Sequence, residues 1–184
     1  MDDQTIVNLF FERKEHAISE LSNQHGKRLR KIAYNVLGND ADVEECLNDA
    51  YLAVWNSIPP NKPHSLVAFI SKIVRNLAVT RYHRQTAEKR NSYYDVALDE
   101  ISDYIPSDDS AERENTTELS EAFNAFLGTL NEEDCALFVK RYWYSESVTD
   151  IAKDLEMTPH YISVKLSRVR EKLRKFLEKR GIRI

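Results

Sequence analysis

Cysteine is almost missing from this 184-residue chain: Cys46 and Cys135 are the only two, and neither belongs to a CxxC pair. That excludes a disulfide scaffold and a thiolate metal knuckle, and fits two small apolar residues in a reducing compartment. Glycine and proline are also scarce, at four and five residues, and they cluster at boundaries. No stretch reaches the roughly 18 uncharged apolar residues of a membrane span. The opening MDDQTIVNLFFERKEH has no basic segment leading into an apolar run, so it does not read as a secretory signal. No segment alternates apolar and polar residues with the β-branched and aromatic enrichment of a strand. GxGxxG, phosphate-loop, HExxH and GxSxG motifs are all missing, and the five histidines are scattered without metal-ligand spacing. Glu44, Glu45 and Asp49 could meet a cation, but nothing near them supplies a substrate pocket. The expectation is a soluble, cytoplasmic, all-α protein with no catalytic residues, no metal and no cofactor.

What remains is a chain of helices. The periodicity predicts helices over Gln4–Glu12, Lys14–Gln24, Lys27–Leu37, Ala41–Ser57 and Ser65–Arg90. A second set covers Glu118–Leu127, Glu132–Tyr144, Val148–Leu155 and Pro159–Arg180. Gly38 stops one helix and Asp40 can cap the next, while Pro59, Pro60 and Pro63 break the chain between two others. Residues 91–117 are acidic and rich in Ser, Asp and Thr, as a tether is. Tyr93, Tyr94, Val96, Leu98, Ile101 and Tyr104 make it too apolar for a pure spacer, so part of it docks onto a neighbour or closes the first domain. Two small helical domains, 1–90 and 118–184, joined by an acidic linker at 91–117, are the expected architecture.

The net charge of −4 conceals a sharp pattern. Residues 39–69 hold five acids and one base, residues 70–90 six bases and one acid, and residues 91–118 nine acids and one base. From 158 to the end there are nine bases and two acids. Screening confines each field to roughly 8 Å at physiological salt, so local sign matters more than the total. Two basic segments fit two contact surfaces for a polyanion, although ordinary solvated helix faces give the same pattern.

The stretch SVTDIAKDLEMTPHYISVKLSRVREKLRKFLEKR has the pattern of a helix-turn-helix. A short helix carries Val148, Ile151, Ala152 and Leu155, a turn follows at Glu156-Met157, Thr158 caps and Pro159 takes the first helical position. Ile162, Leu166, Val169, Leu173 and Phe176 form one buried stripe. The opposite face holds His160, Val164, Ser167 and Arg168, flanked by Ser163 and Arg170. Val164 could meet a thymine methyl and Arg168 a guanine edge, while Lys165, Arg170, Arg174 and Lys175 would hold phosphates. In the preceding LNEEDCALFVKRYWYSES, Asn131 is a good cap, Cys135, Leu137, Phe138 and Tyr142 are core candidates, and Arg141 could reach DNA. Trp143 reads as packing.

In the first half, DADVEECLNDAYLAVWNSIPP puts Val43, Cys46, Leu47, Ala50 and Val54 inward and Glu44, Glu45, Asn48 and Asp49 outward. An acidic face with no histidine partner reads as a protein-docking surface. The helix LVAFISKIVRNLAVTRYHRQTAEKR would bury Leu66, Phe69, Ile70, Ile73 and Leu77. It would expose Lys72, Arg75, Asn76, Thr80, Arg81 and Arg84, which with Tyr82 suit single-stranded or melting DNA.

The order of acidic docking helix, basic helix, acidic linker and helix-turn-helix resembles the bacterial RNA polymerase sigma factors of the extracytoplasmic-function group. DVEECLNDAYLAVW, AFISKIVRNLAV, LNEEDCALFVKRYWYSESVTDIAKDLEMT and VKLSRVREKLR carry the resemblance. It implies that the first domain binds the clamp of core RNA polymerase through Glu45, Asn48 and Asp49. It also implies that this domain opens the minus-ten promoter element. Asn48 stands where the family usually has Gln. Asn76 matches a residue of the strand-opening surface, beside Lys72, Arg75 and Thr80. The loop Ser57–His64, with Asn61, Lys62 and His64, stands where the family's base-reading loop lies but lacks its usual aromatic and glycine residues. Arg141, His160, Tyr161, Ser163, Val164, Lys165, Ser167, Arg168 and Arg170 are the corresponding candidates for the minus-thirty-five duplex. His160-Tyr161 replaces the family's usual Gly-Thr. The family commonly pairs with an anti-sigma factor, and no spare heptad stripe points to self-association. Competing readings are a stand-alone helix-turn-helix regulator and a polymerase-docked module without promoter opening.

Overall fold

A computed structural model describes residues 2–85, 93–102, 104 and 113–182, and among them every regular element is helical. The chain divides into two compact units, Met1–Ser92 and Tyr93–Ile184.

The first unit holds α1 (Asp3–Phe11), α2 (His16–Leu37), α3 (Asp40–Ser57) and α4 (Leu66–Gln85). Helix α2 is continuous where the sequence reading has two helices. Gly26 lies inside it, and a Cβ there would come within 3.3 Å of Ser22 Oγ and 3.7 Å of Tyr51 Oη. The glycine therefore sits inside a continuous helix, not at a break. Gly38 ends α2 at φ +71°, and Asn39, not Asp40, caps α3 by accepting the Asp42 amide at 2.9 Å. Helix α3 buries Val43, Cys46, Leu47, Ala50 and Val54 as its periodicity requires. Helix α4 packs on both α2 and α3. Its buried row is Leu66, Ile70, Val74, Ala78 and Tyr82, with Ser71 beside it. Phe69, Ile73 and Leu77, expected at the centre, are half-buried. Small Ser71 and Ala78 are fully buried, so the helix turns a different row inward than hydrophobicity alone selects. Tyr82, expected to face DNA, ends that buried row.

The second unit holds α5 (Tyr93–Ser102), α6 (Arg113–Leu127), α7 (Glu132–Phe138), α8 (Val148–Asp154) and α9 (Pro159–Lys179), with a π-helical turn at Val139–Trp143 after α7. Part of the expected linker is thus helix α5, which buries Tyr94, Ala97 and Ile101. Ile101 packs with Ala122, Phe126, Phe138, Val169, Leu173 and Leu177. A second cluster, Leu137, Ile151, Ala152, Ile162 and Leu166, forms the inside of the helix-turn-helix. Ser147 caps α8, and Thr158 caps α9 ahead of Pro159. In the turn, Glu156 has φ +55°, a left-handed position that glycine occupies more readily. Leu177 takes the buried place expected for Phe176, and Trp143, expected to pack, is 40% exposed and engaged.

Candidate functional site

The first candidate surface is the outer side of α3. Glu44, Glu45, Asn48 and Asp49 are all exposed on it, and Leu52, one turn further, is the most exposed large apolar side chain described, at 57%. The acids are braced from both flanks. From α2, Arg30 pairs with Glu44 and, at 2.8 Å, with Asp40. From α4, Arg81 reaches Glu45 Oε2 at 2.5 Å and Asp49 Oδ2 at 3.2 Å, with Asp42 at 3.9 Å. Hydrogen bonding to Arg81 holds the Glu45 carboxyl below its ordinary range. The sequence reading has Arg81 as an exposed basic residue on a DNA-facing helix. The structure folds it back onto the acidic helix instead. Behind this face Cys46 is fully buried, and burial pushes its thiol up to about 11.

The second surface is the basic side of α4 with the loop before it. Lys72, Asn76, Thr80 and Arg84 are exposed at four-residue intervals, so they form one row. Arg75 beside them is half-buried and engaged. In the loop, Ile58 is buried as an anchor and Asn61, Lys62 and His64 are exposed. The Asn61 amide donates to the Ser57 carbonyl at 3.0 Å, which folds the loop back on the end of α3.

The third surface is α9. His160, Tyr161, Ser163, Ser167 and Arg168 are exposed and Val164 is half-buried, so the early turns of the helix present a mixed polar face. Three of the expected DNA contacts turn elsewhere. Arg141 is only 2% exposed: its guanidinium forks onto Glu100 of α5 at 2.7 and 3.0 Å and donates to the Glu146 carbonyl at 2.8 Å. Arg141 lies three and four residues past the buried Phe138 and Leu137, so it falls on their inward face. Arg170 is drawn to the same acid at 3.5 Å, donates to Tyr142 Oη at 2.6 Å and lies over the Tyr104 ring. Lys165 pairs with Glu133 and, at 3.4 Å, with Asp134 of α7. Arg174 and Lys175 make exposed pairs with Glu178 and Glu171 one turn away. Pairs of that kind are weak, which leaves both side chains able to exchange onto phosphates.

Sequence reasoning missed Glu100 and Leu52, and it placed Arg81 with the exposed basic row instead of against α3. Leu52 had a legible signal, an apolar residue four positions from Asn48 on a polar face. Glu100 and Arg81 had none, since their roles depend on which helix lies alongside.

Residues 21–88, which span most of α2 and all of α3 and α4, match the family described as Sigma-70 region 2. The chain is 25% identical over 162 residues to the ECF RNA polymerase sigma factor SigE of Mycolicibacterium smegmatis, covering 87% of this chain and 61% of that protein. It therefore spans about three-fifths of that relative's length. A solved structure of CnrH in complex with the cytosolic domain of CnrY aligns with a TM-score of 0.46 and 18% identity, over 96% of this chain and 97% of that one. Residues 21–88 thus match sigma-70 region 2, and over 87% of its length the chain is similar to a sigma factor of the extracytoplasmic-function group.

Proposed function

We propose that the chain binds core RNA polymerase, directs it to a promoter and starts transcription there, acting in the cytoplasm without catalysis, metal or cofactor of its own. The observation that carries this reading is the exposed stripe Glu45, Asn48 and Asp49 on α3, inside the region that matches the family and beside the basic row of α4. An acidic stripe with an apolar tip at Leu52 suits a basic, partly apolar protein surface, and the polymerase clamp is the partner the family implies. Lys72, Arg75, Asn76 and Thr80, with Asn61, Lys62 and His64, would meet the minus-ten element. His160, Tyr161, Ser163, Val164, Ser167 and Arg168 would meet the minus-thirty-five duplex. An anti-sigma factor is a further partner, and the free protein is a monomer. In this reading residues 1–90 are the region 2 domain and residues 118–184 the helix-turn-helix domain.

The test is equilibrium binding of the full chain to core polymerase. The double neutral variant Glu45→Gln/Asp49→Asn is preferable to charge reversal, which would set two lysines beside Arg81. Its affinity should fall at least tenfold, about 1.4 kcal/mol, with helical content unchanged. Normal binding by the variant would remove α3 as the docking face. A wild-type chain that binds duplex promoter tightly with no polymerase present would instead indicate a stand-alone regulator.

A further inference from the structure

We infer that Arg81 is an internal competitor for the docking face: in the free protein it occupies the two carboxylates that the polymerase needs, and so holds down the affinity of this chain for core enzyme. The inference rests on the reading of α3 as the docking face. Its own support is geometric. One guanidinium bridges Glu45 and Asp49, with one nitrogen on Glu45 Oε2 at 2.5 Å and another on Asp49 Oδ2 at 3.2 Å. These residues lie one helical turn apart, so a single planar group spans both. The Arg81 side chain is 19% exposed, against 66% for Glu45 and 54% for Asp49. The cation therefore sits at the base of the stripe while the acids lean outward.

A basic partner group approaching Glu45 and Asp49 meets a like charge already in place. It must share the carboxylates or displace Arg81, and either course weakens its attraction. The other charged groups around this site do not cancel that effect. Asp42 lies on the same side at 3.9 Å from Arg81, and Arg30 is committed to Asp40 and Glu44 further up the helix. Displacement has a second consequence. Arg81 belongs to α4, so once released it adds a cation next to the row Lys72, Asn76, Thr80 and Arg84. Docking and strand contact would then be linked through one side chain.

The experiment compares four full-length proteins for binding to core RNA polymerase: wild type, Arg81→Gln, Arg81→Lys, and Arg81→Gln in the Glu45→Gln/Asp49→Asn background. Arg81→Gln should bind core about three- to tenfold more tightly than wild type at low salt, roughly 0.7–1.4 kcal/mol. The gain should shrink as salt rises. Arg81→Lys, a cation that cannot fork onto both acids, should fall between the two. In the neutralised background Arg81→Gln should change nothing. A merely structural role for Arg81 would move affinity the other way, because a loosened α3–α4 contact cannot improve docking. Equal or weaker binding by both Arg81 variants, with Glu45→Gln/Asp49→Asn still impaired, overturns the competitor and leaves the docking face standing. Normal binding by Glu45→Gln/Asp49→Asn overturns both.

Discussion

Arg168 stands exposed on α9 and makes no ion pair among the described residues, whereas Lys165 and Arg170 on the same helix are tied to carboxylates. In the proposed reading of the minus-thirty-five duplex, that contrast makes Arg168 the candidate base reader. Arg168→Ala should cost roughly 1–3 kcal/mol on the cognate promoter and relax selectivity at one base pair. Lys175→Ala, at an exposed pair further along, should weaken all duplexes about equally. Titrating both variants against single-base promoter changes at fixed salt separates the two roles. A uniform loss for Arg168→Ala would move the reading to Ser163, Val164 and Ser167. The thiols offer a second check at this scale. Cys46 is fully buried with its thiol pushed up to about 11, and Cys135 is half-buried. Iodoacetamide at pH 8 should therefore modify Cys135 well before Cys46 in the native protein. Equal rates, read by mass spectrometry, would contradict the packing of α3.

At the scale of the element, α5 depends on one acid. Glu100 accepts from Arg141, Arg170 and Tyr142, and it is the carboxylate that faces the buried Arg141 guanidinium. Burial pushes the Tyr142 hydroxyl up to about 12, so it stays a neutral donor at any working pH. Removing Glu100 leaves Arg141 buried with the Glu146 carbonyl as its acceptor among the described residues. Glu100→Ala should destabilise the second unit by about 3 kcal/mol, the lower end for a broken buried pair, because Glu100 itself is part-exposed. Urea unfolding measures this, and an unchanged midpoint would remove Glu100 as the organising residue. Asp134 gives the pH counterpart. Burial raises its carboxyl, but Lys172 at 2.7 Å and Lys165 at 3.4 Å outweigh that, and the result is lowered. The folded value lies below the unfolded one, so its contribution is present above the unfolded carboxylate range and is lost as pH falls through the folded value. Asp134→Asn should therefore flatten the acid limb of the stability profile.

For the whole molecule, the division at Ser92/Tyr93 decides which fragments can stand alone. A fragment of Tyr93–Ile184 should fold and bind duplex DNA, with affinity falling steeply between low and physiological salt. A fragment starting at Glu118 loses Glu100 and Ile101 together, and with them the partner of Arg141 and part of the larger apolar cluster. It should melt well below the longer one, as circular dichroism would record. Equal melting of the two would place α5 outside the working unit.

The sequence by itself was enough for the helical class, for the inward face of α3, and for the helix-turn-helix with its caps at Asn131 and Thr158. Each of these depends on neighbours within about one or two turns, through periodicity, capping and proline geometry. The exposed positions of Glu45, Asn48 and Asp49 were legible for the same reason. Tertiary structure decided where the long charged side chains went. The carboxylates that hold Arg81 and Arg141 are distant in sequence, and the choice was made by the helix that packs alongside. The same holds for the turned row of α4, where neighbouring helices set what the local pattern left open. A side chain that spans several ångströms answers to its surroundings in space, and those come from residues 32 to 41 positions away.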